Sequence, residues 1–202
     1  THRDCQLHDM GSYHPESPAR LTAINDHLIA QGIDAYFSYY EAPLASFDQL
    51  LRVHPASHLE RVKRASPTQG IAHLDPDTAM CPHTWSAALR SAGAGCMALD
   101  LVMGHEVQNA FCAVRPPGHH AERANPMGFC FFNNIAVAAA HALEVHGLER
   151  VAVIDFDVHH GNGTEDIVAG DERILMASFF QDQLYPYTGG VPLGTNMVNL
   201  AI

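Results

Sequence analysis

Cysteine is scarce in this chain, and what there is shows no pairing pattern. The five are Cys5, Cys81, Cys96, Cys112 and Cys130, and no two form a Cys-x-x-Cys pair. An odd count without that spacing argues against a disulfide scaffold and a structural zinc knuckle, and makes a reducing cytoplasm the simplest setting. Positive charge is scarce as well. Eleven Lys and Arg against 22 Asp and Glu leave a net charge of -11 with histidines neutral. So few cations cannot meet a nucleic-acid backbone, and no nucleic-acid partner is expected. An acidic surface steers cationic partners, although an acidic soluble protein needs none. No apolar run approaches the roughly 20 residues of a membrane-spanning helix, and no basic-then-apolar leader opens the chain. No membrane partner is expected.

Apolar residues and histidine are plentiful. A hydrophobic fraction of 47% over 202 residues suffices for the core of one ordinary domain, 1–202, and weighs against disorder. Fifteen histidines supply imidazole ligands and bases. The chain begins at Thr1 without a methionine and stops at Ile202 inside a predicted strand, so both ends look cut.

Local signals alternate between helix and strand. Ser17 as cap, Pro18 at the first helical position, and Leu21, Ile24, Leu28 and Ile29 at helical spacing predict a helix that Gly32 ends. A strand is expected over 35–40, a short helix capped by Ser46 over 47–53, and another over 55–65. Residues 66–82 read as a long loop, of a length that is often functional. Thr84 is expected to cap a helix over 85–103, whose Gly93 and Gly95 suit close packing on a sheet. Strands are expected over 110–114, 151–154, 173–177 and 197–202. Asn133 or Asn134 caps a helix to about 146, and 164–168 makes a short one. This order indicates an α/β domain with a mainly parallel central sheet flanked by helices.

Chemistry concentrates where the predicted strand over 151–154 ends, in V-A-V-I-D-F-D-V-H-H-G-N-G-T from Val151 to Thr164. The apolar start suits a strand buried on both faces. In an extended chain Asp155, Asp157 and His159 share one side while Phe156 and Val158 point away. Two carboxylates and an imidazole so close need compensation, which a metal ion supplies. A second constellation, Arg115-Pro116-Pro117-Gly118-His119-His120, ends the predicted strand over 110–114. Two prolines stiffen the chain ahead of adjacent imidazoles that suit a general acid and a general base.

Four separated segments then carry a resemblance. They are His14-Pro15-Glu16, R-P-P-G-H-H-A-E over 115–122, G-F-C-F-F-N-N over 128–134 and D-F-D-V-H-H-G-N-G-T over 155–164. In this order they resemble the zinc-dependent histone deacetylase family, nearest its class II type and bacterial deacetylase-like amidohydrolases. The resemblance implies an arginase-like α/β domain whose C-terminal part is missing from this chain. It implies His119 and His120 as the catalytic pair, Asp155 orienting the first and Asn162 the second. Asp157 and His159 match two of three zinc ligands. Asp155, Ser178 and Phe179, with Asp157 and His159, match positions around a potassium ion. Gly128, Phe129 and Tyr185 match the wall of an acyl-lysine channel, and Arg20 an arginine on an inner acetate channel.

The implied activity is hydrolysis of an acetyl-lysine peptide or a small acetylated amine. The family's third zinc ligand and transition-state tyrosine do not occur within 1–202, so this span alone is not expected to be a competent deacetylase. Two rivals stand beside that reading. An arginase-like ureohydrolase would need a two-metal carboxylate cluster, which His160 and Asn162 disfavour. A non-catalytic acyl-lysine binding relative would keep only the channel. A homo-oligomer is compatible with all three.

Overall fold

The computed structural model describes all of residues 1–202. Seven helices and five strands follow one another as α1 (Arg3–Leu7), α2 (Ala19–Ala30), α3 (Phe47–Leu51), α4 (Ala56–Ala65), β1 (Ala72–His73), β2 (Ala79–Met80), α5 (Thr84–Met103), α6 (Asn134–Glu144), β3 (Val151–Asp155), α7 (Asn162–Val168), β4 (Ile174–Phe180) and β5 (Met197–Ala201). A 3-10 turn, Asp34–Tyr36, lies between α2 and α3.

The main sheet is parallel with order β3-β4-β5. Its register places Asp155 beside Ser178 and Ser178 beside Asn199. Three polar side chains therefore line the carboxyl ends of three adjacent strands, where open α/β sheets place their ligands. One sheet face is covered: Val153, Ile174, Met176 and Met197 join a core with Leu50, Leu59, Val62, Phe131, Phe132 and Val137. Burying such side chains contributes roughly 1.5–3 kcal/mol each.

The opposite face departs from expectation. Ile154, Leu175, Phe179, Val198 and Leu200 are exposed, so β3 is not buried on both faces and only Met197 of the last strand is buried. The helices pack on one side only, and nothing within 1–202 lies over the other.

Capping follows the residue chemistry at α3 and α6 but not at α2, whose N-cap is Pro18 and not the expected Ser17, with no side-chain cap bond. Ser46 and Gln49 close a reciprocal capping box on α3. The Asn133 side chain accepts from Ala136 N and starts α6. Thr84 is not a cap. It lies inside α5, and its hydroxyl accepts from Cys81 N at 2.9 Å. Residues 35–40 hold the end of the 3-10 turn and then irregular chain rather than a strand, and residues 110–114 pair with no strand. An apolar run becomes a strand only when a partner's backbone takes up its hydrogen bonds. The long loop hides the antiparallel pair β1–β2. A Cβ on Gly93 would stand 2.1 Å from Pro43 O, and one on Gly95 would stand 3.0 Å from the Ala138 Cβ. The close approach that α5 needs is therefore to the 43–45 segment and α6, not to a sheet.

Candidate active site

Leaving β3, the chain does not continue extended as strand alternation would have it. Asp155 Oδ1 accepts from Asp157 N at 3.1 Å, and Asp157 Oδ1 accepts from His159 N at 2.8 Å. Each carboxylate thus caps an amide two residues on, an Asx-type turn. These turns bring Asp155, Asp157 and His159 together, while Phe156 and Val158 face solvent.

The second Asp155 oxygen accepts from His119 Nδ1 at 2.8 Å. Burial works against ionisation of Asp155. The hydrogen bond and charge of His119, with the Asp157 amide, outweigh it and hold the carboxyl below its usual range. His120 lies against His119 with ring centroids 4.0 Å apart. Its Nδ1 donates to Asn162 Oδ1 at 2.8 Å. The amide orientation of Asn162 is set from behind, because its Nδ2 donates to Glu122 Oε1 at 3.0 Å. With Nδ1 as the donor, the neutral form of His120 is the tautomer that leaves Nε2 unprotonated. Burial first, and the neighbouring His119 second, push its pKa down to about 4.

Asp157 and His159 stand at the open side, half exposed. Asp157 Oδ1 and His159 Nδ1 are 3.1 Å apart. That is close to the separation of two ligand atoms on a tetrahedral ion with bonds of about 2.0–2.1 Å. The same separation is that of a hydrogen bond between the two side chains, so it is their donor types, a carboxylate and an imidazole, that suit zinc. The Tyr185 ring meets those of His120 and His159 edge-on, at 5.0 and 6.0 Å.

Gly128 and Phe129 are packed into the same place. A Cβ on Gly128 would stand 2.5 Å from the His120 ring, and its φ is +56°, so only glycine fits. Phe129 also holds a positive φ of 70°. Its N–H donates to Thr78 Oγ1 at 3.0 Å, and the His14 ring packs against it at 4.6 Å. A non-glycine residue in that region persists only where its surroundings over-determine it.

Other expected residues stand farther out. Arg20 donates to Val114 O at 2.8 Å and lies 3.5 Å from Glu16 Oε1, without touching either histidine. Ser178 is buried, and its hydroxyl is bound to His160 Nδ1 at 3.0 Å. Phe179 points to the uncovered sheet face. His160 Nε2 donates to Glu165 Oε2 at 2.8 Å, and Glu165 also accepts from Asn199. Sequence reasoning missed Glu122, Thr78 and Glu165. Glu122 could have been found, since it closes the quoted R-P-P-G-H-H-A-E segment. The other two carry no local signal.

A tighter His/Asp cluster occurs elsewhere. His141 Nε2 and His146 Nε2 each lie 2.8 Å from Asp100 Oδ1. Arg52 donates to His141 Nδ1 at 2.9 Å, so the proton of that ring sits on Nε2, where a metal would need the lone pair. This cluster is a hydrogen-bonded network. An apolar groove of about 480 Å³ lined by Leu21, Leu28, Tyr36, Tyr40, Met97 and Phe111 contains none of the catalytic candidates.

A parallel α/β sheet whose strand ends gather an Asp-buttressed histidine pair beside an Asp/His pair defines a protein of arginase/deacetylase fold. The chain belongs to the histone deacetylase family, whose domain matches residues 14–198. It is 44% identical over 183 residues to "Histone deacetylase-like amidohydrolase" of Pseudomonas aeruginosa, covering 90% of this chain and 48% of that protein. It is 38% identical over 169 residues to human "Polyamine deacetylase HDAC10", covering 81% of this chain and 25% of that one. Among solved structures, the HD domain of HDA15 superposes with a TM-score of 0.89 at 32% identity, covering 97% of this chain and 59% of the other. The chain thus spans about half the length of the bacterial relative. All five cysteines are free, and no helix is long and apolar enough to cross a membrane.

Proposed function

We propose that this chain carries the histidine pair and two metal ligands of a zinc-dependent amidohydrolase acting on N-acetyl amides. The substrate is acetyl-lysine in a protein or an acetylated polyamine or other small amine. The carrying observation is that two touching histidines have partners of different charge, Asp155 for His119 and Asn162 for His120. Asp157 and His159 would hold the zinc, which supplies Lewis acidity toward the amide carbonyl and toward water.

The remaining chemistry belongs to the chain. The Asp155 carboxylate fixes the His119 ring by Nδ1. His120, neutral and unprotonated at Nε2, can take the proton of the attacking water there. The proton passes on to the amine nitrogen as the C–N bond breaks, with His119 alongside. Gly128, Phe129 and Tyr185 wall a channel suited to a linear acylated amine. Arg20 would line an inner route for acetate, and Asp155, Ser178 and Phe179 would hold a structural potassium. Residues 1–202 form one unit of this domain, in a cytoplasmic protein.

The ureohydrolase reading is disfavoured because Asn162 is spent on His120 and His160 on Ser178 and Glu165, leaving neither free for a second metal. A purely acyl-lysine binding relative would not need the opposed partners of the two histidines. The test uses the whole gene product loaded with zinc. It is expected to release acetate from an acetyl-lysine peptide or an acetylated polyamine, and Asp157→Ala should lose both the zinc and that activity. Guanidine hydrolysis with neither acetyl compound consumed would replace this reading with the ureohydrolase one.

A further inference from the structure

Behind the catalytic candidates lies a second pair of touching histidines that this chemistry does not use. His54 and His58 stack with ring centroids 4.6 Å apart and planes inclined by 21°, and each is 1% exposed. Neither meets a carboxylate. His54 Nδ1 donates to Arg123 O at 3.0 Å, while its Nε2 accepts from Asn133 N at 2.9 Å. Those partners are the two ends of the 123–133 segment, which presents Gly128 to His120 and Phe129 to His14. His58 adds a third tie, donating from Nε2 to Phe131 O at 2.8 Å. Using one ring nitrogen as donor and the other as acceptor requires the neutral His54 ring. Burial, with His58 beside it, holds the His54 pKa down at about 4, which keeps both bonds in place at neutral pH.

From Asn133 the connection runs on to the catalytic backbone. Its Nδ2 donates to Ala121 O at 3.0 Å and to Thr164 Oγ1 at 3.2 Å. Thr164 N donates to His119 O at 3.1 Å. The backbone on both sides of His120 is thus tied to the residue that His54 holds. Buried backbone groups at both ends of a loop are costly to leave unpaired, so one ring that satisfies both fixes the loop's span.

We propose that His54 is a positioning residue for the hydrolysis proposed above. It staples both ends of the 123–133 segment so that Gly128 stays against His120 and Phe129 against His14, with His58 clamping Phe131. The effect on turnover rests on the proposed function, but the stapling does not. Two variants of the whole gene product separate the two bonds. In His54→Asn the amide nitrogen can occupy the place of Nδ1 and keep the Arg123 bond. In His54→Gln the longer side chain can reach the place of Nε2 and keep the Asn133 bond, which leads to the catalytic backbone.

The readouts are amide hydrogen exchange across 123–133 and the KM and kcat for an acetylated amide. In His54→Asn, exchange in 123–133 should rise by about tenfold, the worth of one buried hydrogen bond, while α2 is unchanged. Its kcat should also fall by about tenfold, because small displacements of positioned groups cost turnover. His54→Gln should keep kcat within about threefold of wild type. Faster exchange in α2 equal to that in 123–133 would mean general loosening and overturn the proposal. So would unchanged exchange in both variants. If the wild-type protein hydrolyses no acetyl amide, the functional reading fails while the exchange comparison still decides the staple.

Discussion

Two pairs of touching histidines occupy this molecule, and they differ in what their ring nitrogens meet. His119 and His120 meet side chains, one a carboxylate and one a carboxamide, and while His120 is buried, His119 keeps some contact with solvent. His54 and His58 meet backbone groups and are sealed from it. The contrast shows how one residue type is assigned to different work. A carboxylate partner brings a full charge to an imidazole, whereas a backbone carbonyl or amide brings only a dipole and a direction. The first pair suits proton transfer and the second suits holding a loop.

The first way to break the contrast is to make the two catalytic partners alike. Asp155→Asn leaves an acceptor for His119 Nδ1 but removes the charge. Turnover of an acetylated amide should fall by about 10²–10³-fold with zinc content per chain unchanged, within the range of a general acid–base group. Unchanged turnover would mean that the charge on Asp155 does not matter. Metal analysis beside steady-state kinetics makes the check.

A smaller effect sharpens the other side of the comparison. The folded-state pKa of His54, about 4, lies below its ordinary 6.5. The unfolded chain therefore binds the proton first as pH falls, and stability drops on acidification. The contribution is fully present above pH 6.5 and is lost between pH 6.5 and 4, amounting to about 3 kcal/mol for one such group. His8, held down at about 3 by burial and by Arg115, acts in the same direction. Denaturant unfolding at pH 7.5 and pH 5 should show His54→Gln with a shallower loss than wild type. An equal loss in both would remove His54 from the account.

How much of this was legible in the residues depends on the reach of each interaction. Asp155, Asp157, His159 and Asn162 sit within one stretch, so their clustering could be read directly, although Asx-type turns rather than strand alternation bring them together. Ser46 with Gln49 and Asn133 with Ala136 are likewise local, and both caps formed. His54 binds Arg123 and Asn133 across 69 and 79 residues, and its partners are backbone atoms that every residue possesses. No pattern of side chains announces such a bond. The buried side-chain pair of Glu16 and Arg115, joined at 2.6 Å, belongs to two of the quoted segments, and only the 99 residues between them hid their pairing. Residues 110–114 failed as a strand for a related reason. Their apolar pattern is local, but pairing depends on a partner strand that no window of sequence contains.

The most direct test of the central claim is the turnover of an acetyl-lysine peptide by the whole gene product carrying His120→Ala, with zinc counted per chain. The account predicts zinc retained at the wild-type level and turnover lower by about 10²–10⁴-fold. Turnover within about threefold of wild type would contradict it, since a group of that kind contributes far more.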